Sequence, residues 1–247
     1  MEFLSREEFS SYLLSVAEKN GFSSLLDSER IDRFYTLTHH MLSVNEQMNL
    51  TAIREEKKCI LLHYADSLVG AKYFPDGATV IDVGCGAGFP SLPLSICRPD
   101  LSVTAMDATA KRVRYVAECA TLLGLSNLNT LTGRAEELAK SKDYRERFDC
   151  ATARAVAALP VLSELCLPFV KVGGLFVAMK GRAAEEELAA SRHALSALGG
   201  AQENTVQAPL LSPDGEQFDH TSLLIRKTKP TPPLYPRAYG KITKSPL

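Results

Sequence analysis

The 247-residue chain contains no Cys-x-x-Cys pair, no long apolar run and no acidic residue after Asp219. Its six cysteines, at positions 59, 85, 97, 119, 150 and 166, lie mostly in apolar segments, where a thiol acts as a small core residue. That spacing speaks against a zinc site, and no metal is expected. A chain of this size without an export signal also needs no disulfide framework. No stretch is long and apolar enough to span a bilayer, and the opening Met-Glu-Phe-Leu-Ser-Arg-Glu-Glu lacks the basic region and apolar core of a signal peptide. A cytoplasmic protein without membrane contact is the expectation.

Net charge is only −1, which argues against a uniformly basic nucleic-acid binder, yet the charge is segregated. Arg226, Lys227, Lys229, Arg237, Lys241 and Lys244 all follow the last acid, leaving 22 basic residues against 29 acids elsewhere. A basic, Pro-rich end reads either as a solvated tail or as a phosphate-contacting one.

With 45% hydrophobic residues, the chain can bury one large core plus an appendage. The expected division is a helical cap over 1–72, a catalytic domain over 73–228 and a basic tail over 229–247. In the cap, Ser5 and Glu8 make a capping box, Gly21 stops the first helix, and Ile31, Phe34, Tyr35, Thr38, Met41 and Leu42 follow a helical stripe. A polar break at Asn45–Asn49 follows, and another helix carries His63-Tyr-Ala-Asp66-Ser67. From Thr79 onward, β-rich runs at Val80–Val83, Val103–Asp107, Leu128–Thr132, Cys150–Ala153 and Leu175–Met179 alternate with helix-length gaps. This predicts an α/β fold with a doubly wound, mostly parallel sheet. Runs near Thr205–Leu211 and His220–Arg226 lack such a gap and predict an antiparallel hairpin at the sheet edge. Lys229 to Arg237 is Pro-rich and should be extended.

The richest signal is Thr79-Val-Ile-Asp-Val-Gly-Cys-Gly-Ala-Gly-Phe89, an apolar strand that ends in an acid and then in Gly84, Gly86 and Gly88. Glycine tolerates positive φ and lets a ligand lie against the main chain, while the amides opening the next helix attract an anionic group. A dinucleotide fingerprint needs its third glycine where this chain has Phe89, so a nicotinamide cofactor is disfavoured. Asp107 closes the next strand, where ribose hydroxyls require an acceptor. The four residues Gly84, Gly86, Gly88 and Asp107 look like the S-adenosyl-L-methionine site of a class I methyltransferase.

Ligands of open α/β sheets bind beyond the carboxyl ends of the strands, which brings in Ala135 and Glu136, Arg154 and Lys180. Ala135 and Glu136 either approach the adenine or simply open a helix favourably. Arg154 can hold a methionine carboxylate, meet RNA phosphate or form a structural ion pair. Lys180 reaches substrate phosphate or caps a carbonyl. Phe89 is either a core aromatic or a wall of the cofactor pocket.

Methyl transfer from a sulfonium needs alignment more than proton transfer, so no catalytic side chain is assigned. The chain lacks an Asn-Pro-Pro-aromatic motif after the fourth strand and any Pro-Cys pair. These absences disfavour adenine-amine methylation and covalent attack on cytosine, and leave guanine N7 compatible.

Asn49-Leu-Thr-Ala-Ile-Arg54, His63-x-x-Asp66-Ser67, Asp82 to Pro90, Thr152-Ala-Arg-Ala155 and the closing Lys-Ser-Pro-Leu247 closely resemble the ribosomal RNA small subunit methyltransferase G family, also called glucose-inhibited division protein B. The resemblance covers nearly the whole chain. It implies a bacterial enzyme that methylates N7 of one guanine, the equivalent of guanosine 527, in 16S ribosomal RNA within the small subunit or its assembly intermediate. It also implies cofactor contacts at Gly84, Phe89, Ala135, Glu136 and Arg154. For RNA, the candidates are Arg54, His63, Arg154, Lys180, Arg237, Lys241 and Lys244, with phosphate contacts positioning the RNA and stacking holding an extruded base. His63 also reads as a satisfied helix histidine that Asp66 orients. Two rival readings share the cofactor residues: a methyltransferase for another substrate, insensitive to neutralising the tail, and a non-catalytic nucleotide-binding assembly protein. The oligomeric state is left open.

Overall fold

The computed structural model describes residues 3–247, so Met1 and Glu2, at the head of the helical cap, lie outside the described residues. The chain opens with α1 (Arg6–Lys19) and α2 (Ser28–Met48). The Ser5–Glu8 capping box forms, and the predicted stripe on α2 is the face it buries. The helix does not break at Asn45. It runs to Met48 and ends at Asn49, whose left-handed backbone (φ 50°) closes it, while the buried Asn45 amide clamps both backbone groups of Thr51 at 2.9 Å. Next come α3 (Glu56–Cys59), a wider π-helical stretch (Ile60–Ala65) and α4 (Asp66–Leu68).

The remaining order is β1 (Thr79–Val83), α5 (Ser91–Cys97), β2 (Ser102–Asp107), α6 (Ala110–Leu122), β3 (Leu128–Thr132), α7 (Ala135–Leu138), β4 (Phe148–Arg154), α8 (Leu159–Cys166) and β5 (Val170–Lys180). Then follow α9 (Ala184–Ala190), α10 (Arg192–Ala197), β6 (Gly200–Gln207), β7 (Leu210–Leu211), β8 (Gln217–Phe218), β9 (Thr221–Lys227) and α11 (Tyr239–Lys244). Seven strands form one sheet in the order β3-β2-β1-β4-β5-β9-β6. The first five are parallel, and β9 runs antiparallel to both β5 and β6. The predicted edge hairpin is therefore present, but its second strand docks on β5 and its first forms the edge. Leu210 and Leu211 leave that strand for a small separate ladder with Gln217 and Phe218.

Strand alternation splits the core into two layers. Val80 points into a cluster with Phe9, Leu13, Phe34, Leu37 and Tyr64 of the N-terminal helices, so one sheet face and those helices share one apolar interior. Ile81 and Val83 point the other way, toward Leu162, Leu165 and Phe176. Ile242 of the C-terminal helix belongs to this second layer and is fully buried. The Pro-rich stretch 230–236 forms neither helix nor strand, and it is pinned rather than free: Arg145 donates to the carbonyls of Thr231 (2.7 Å) and Tyr235 (2.9 Å).

Candidate functional site

The loop after β1 passes over the tip of β2 and is held there by main-chain and carboxylate bonds. The amides of Gly84 and Cys85 donate to the Met106 carbonyl at 2.8 and 2.9 Å. Asp107, only 6% exposed, accepts from Gly86 N at 3.1 Å and Thr109 N at 2.8 Å, with Arg112 at 3.6 Å. Two carboxylate oxygens offer about four acceptor positions, so this anchoring leaves capacity for vicinal hydroxyls. Gly84 (φ +79°) and Gly88 (φ +89°) both adopt the left-handed conformation. A β-carbon on Gly84 would lie 2.8 Å from Val156 Cγ2, and one on Gly88 would lie 2.4 Å from Leu92 Cδ1. At both positions a β-carbon would force the neighbouring side chain to shift, on a backbone that already strains any residue but glycine.

A cavity of about 330 Å³ opens at these strand ends, bounded by Gly84, Asp107, Ala135, Glu136, Val156 and Tyr239. Its size suits a nucleoside. Thus Gly84, Asp107, Ala135 and Glu136 converge as the sequence suggests, whereas Gly86 and Gly88 shape the loop behind the wall. Phe89 turns inward instead: its ring stacks on His63 at 4.3 Å and is buried.

A second cavity, about 520 Å³, shares Ala155 and Val156 with the first and is also bounded by Asp66, Arg154, Met179 and Lys180. Ala155, between them, is itself left-handed (φ +54°), a strained conformation for a residue with a β-carbon.

Arg154 is the centre of a buried polar chain. Its guanidinium donates to Asp66 Oδ2 at 2.5 Å, to the Leu62 carbonyl at 2.8 Å and to His63 Nδ1 at 3.1 Å, and it lies over the Phe89 ring. His63 therefore presents a lone pair at Nδ1 and donates from Nε2 to Thr51 Oγ1 at 3.0 Å. Burial, with the Arg154 charge beside it, pushes the imidazole down to about 3. Asp66 takes its other bond from His220 Nδ1 at 2.7 Å, and His220 Nε2 meets Ser222 Oγ at 3.1 Å. Burial works to raise the Asp66 carboxyl, but bonds from His220 and the Arg154 charge hold it below its ordinary value. Asp66 thus orients Arg154, not His63 as the sequence suggests.

Asp82 is the acid that ends the β1 run, and it is fully buried. It accepts from Ser91 N at 3.2 Å and from Ser91 Oγ, while its Oδ1 has no partner. Burial, only partly offset by Ser91, pushes it up to about 6.

Three of the cations proposed for RNA are already engaged. Besides Arg154, Lys180 donates to the Ala157 carbonyl at 2.6 Å and pairs with Glu187 at 2.7 Å, with its side chain 9% exposed. Arg237 grips the fully buried Glu164 with Nη2 at 2.7 Å and Nε at 2.9 Å. Lys180 and Arg237, both candidates for RNA contact, thus each hold a structural ion pair as well. Arg54, Lys241 and Lys244 are exposed and have no ion-pair partner among the described residues. Sequence reading gave no place at these strand ends to Tyr239, which bounds the smaller cavity, or to His220, which bonds Asp66. For Tyr239 no local signal exists, since only the fold brings it to the strand ends.

Residues 28–210 match the family GidB, described as rRNA small subunit methyltransferase G. The ribosomal RNA small subunit methyltransferase G of Halalkalibacterium halodurans is 45% identical over 93% of this chain and 95% of that protein. The Bacillus subtilis protein of the same name is 44% identical over 98% of each. Among solved structures, a transferase of Pyrococcus horikoshii superposes with a TM-score of 0.52 at 14% identity, over 66% of this chain and 63% of that one. TYW2 of the same organism, in complex with MeSAdo, gives 0.51 at 14% identity, over 66% and 62%. These structural likenesses bear on the fold alone, a class I methyltransferase sheet. The paired relatives extend along almost the entire sequence, and the chain belongs to the rRNA small subunit methyltransferase G family.

Proposed function

We propose that this chain transfers a methyl group from S-adenosyl-L-methionine to N7 of a guanine in 16S ribosomal RNA, presented by the small ribosomal subunit or its assembly intermediate in the cytoplasm. The observation that carries this reading is the pairing of the two strand-end cavities, which share Ala155 and Val156, in a chain 44–45% identical to ribosomal RNA methyltransferases over nearly its full length. The smaller cavity suits the cofactor, because a side chain at Gly84 would strike Val156 and the Asp107 carboxylate keeps acceptor capacity for ribose hydroxyls. Ala135 and Glu136 bound the adenine side. The larger cavity receives the extruded base.

The bound cofactor supplies an activated methyl on a sulfonium. Guanine N7 carries a lone pair and no proton, so the transfer needs no base from the protein. The side chains fit that requirement. His63 faces Arg154 and Asp66 is doubly bonded, so both are committed to positioning rather than to accepting a proton. Holding donor and acceptor in line is itself worth roughly 7–11 kcal/mol. Arg54, Lys241 and Lys244 supply exposed cations for RNA phosphates. No helix among the described residues is long and apolar enough to cross a membrane.

The test is incubation of the purified protein with labelled S-adenosyl-L-methionine and small subunits lacking the modification, followed by mass spectrometry of the RNA. Label in a single N7-methylguanine is the expected result. Label confined to another base, or to no RNA at all, refutes the proposal.

A further inference from the structure

We propose that the C-terminal segment completes the cofactor site, with Tyr239 as an aromatic wall for the adenine. This rests on reading the 330 Å³ cavity as the cofactor cavity. Tyr239 bounds that cavity although it lies more than a hundred residues beyond Asp107 and Glu136 in sequence. Its ring sits 5.5 Å from the Arg134 guanidinium, and Arg134 Nε is 3.0 Å from Glu136 Oε1. Ring, guanidinium and carboxylate therefore form a continuous row along the side of the cavity where Ala135 and Glu136 stand.

The backbone on both sides of Tyr239 is fixed. Before it, Arg237 is locked to the buried Glu164 through both its guanidinium and its backbone amide, the latter at 2.7 Å. After it, Ile242 is fully buried in the apolar layer beneath the sheet. Between these anchors Tyr239 stays 42% exposed. A large ring held by an anchored backbone, exposed and facing a nucleoside-sized cavity, has the form of a stacking platform. Every purine offers a π-face to such a ring, and the adjacent guanidinium adds a second planar surface. The basic tail then has two tasks: Arg237 anchors it, and Tyr239 binds the ligand.

Calorimetric titration of the full chain with S-adenosylhomocysteine tests this, using Tyr239→Ala, Tyr239→Phe and, as a reference, Asp107→Ala. Tyr239→Ala is expected to weaken binding about tenfold, the scale of a lost base–aromatic stack. Tyr239→Phe, which keeps the ring, should stay within about twofold. Because the side chain is exposed, neither should move the ligand-free melting temperature. Wild-type affinity in Tyr239→Ala, together with weakened binding in Asp107→Ala, overturns the role of Tyr239 and leaves the cavity assignment standing. Unchanged affinity in both variants overturns the two together. The chain has no tryptophan, so Tyr239→Trp provides a single reporter at this position. Its emission should change on addition of S-adenosylhomocysteine, and an unaltered spectrum at saturation also counts against the proposal.

Discussion

Arg154 Nη1 lies 2.5 Å from Asp66 Oδ2, joining the end of the fourth strand to the helical stretch that carries His63, Asp66 and Ser67. Both side chains are largely buried, and His220 holds the second oxygen of Asp66. Asp66→Ala would leave a buried guanidinium uncompensated, a loss of about 3–5 kcal/mol. Urea unfolding should show it, and an unchanged midpoint would refute the coupling. The Asp66 carboxyl is held low in the folded protein, so its contribution is present above the ordinary carboxylate range and is lost as pH falls through the lowered folded value.

His63 gives the opposite kind of test, a titration that should not occur near neutrality. The folded imidazole is pushed down to about 3, so it stays neutral where an exposed histidine would charge. Its stabilising effect is full above about pH 6.5 and is lost on acidification toward the folded value. Nitrogen NMR of the imidazole should show a constant Nε2–H tautomer from about pH 5 to 8. A His63 signal titrating near its ordinary midpoint would show that the ring is neither buried nor held beside Arg154 in solution.

Asp82 behaves in the reverse sense. Its folded carboxyl rises to about 6, so the native state holds the proton more tightly than the unfolded chain. The stability that protonated Asp82 contributes is full below about pH 4 and is lost as pH rises through 6. Relative to wild type, Asp82→Asn should therefore gain roughly 2–3 kcal/mol between pH 4 and 7, measured as the change in unfolding free energy between the two proteins. Parallel pH dependences would mean that the buried carboxylate pays no ionisation cost.

The tail cations divide into two classes with different signatures. Arg237→Ala strands the fully buried Glu164 and should cost about 3–5 kcal/mol of stability. Lys241→Ala and Lys244→Ala, both exposed, should keep the melting temperature. If they contact phosphates, each should instead lower RNA affinity and flatten its salt dependence by about one counterion. RNA affinity and salt slope unchanged in the double lysine variant would remove the tail from the RNA interface.

What was legible in the sequence was whatever a local pattern encodes. The capping box, the stripe on α2, the five parallel strands and the acid closing β2 each follow from spacing, and the observed ends of these strands differ from expectation mainly at their starts. Partners were not legible. Glu164 sits inside the apolar run Leu-Pro-Val-Leu-Ser-Glu-Leu-Cys, and its cation lies 73 residues downstream. Arg154 and Lys180 were correctly placed at strand ends, yet their carboxylates come from Asp66 and Glu187, which only the folded topology delivers. The order of β6 and β9 was hidden for the same reason, since a hairpin pattern does not say which arm meets the sheet.

The sharing of one apolar interior by the amino-terminal helices and a face of the sheet sets how this enzyme can be taken apart. Phe9, Phe34 and Tyr64 are the lining of the strands rather than ornaments beside them, so the helices are no detachable specificity module. A fragment beginning at the first strand would bare a greasy plane to solvent and clump, and a chimera that kept a foreign catalytic sheet under these helices would have to inherit Val80, Leu92 and Val103 along with them.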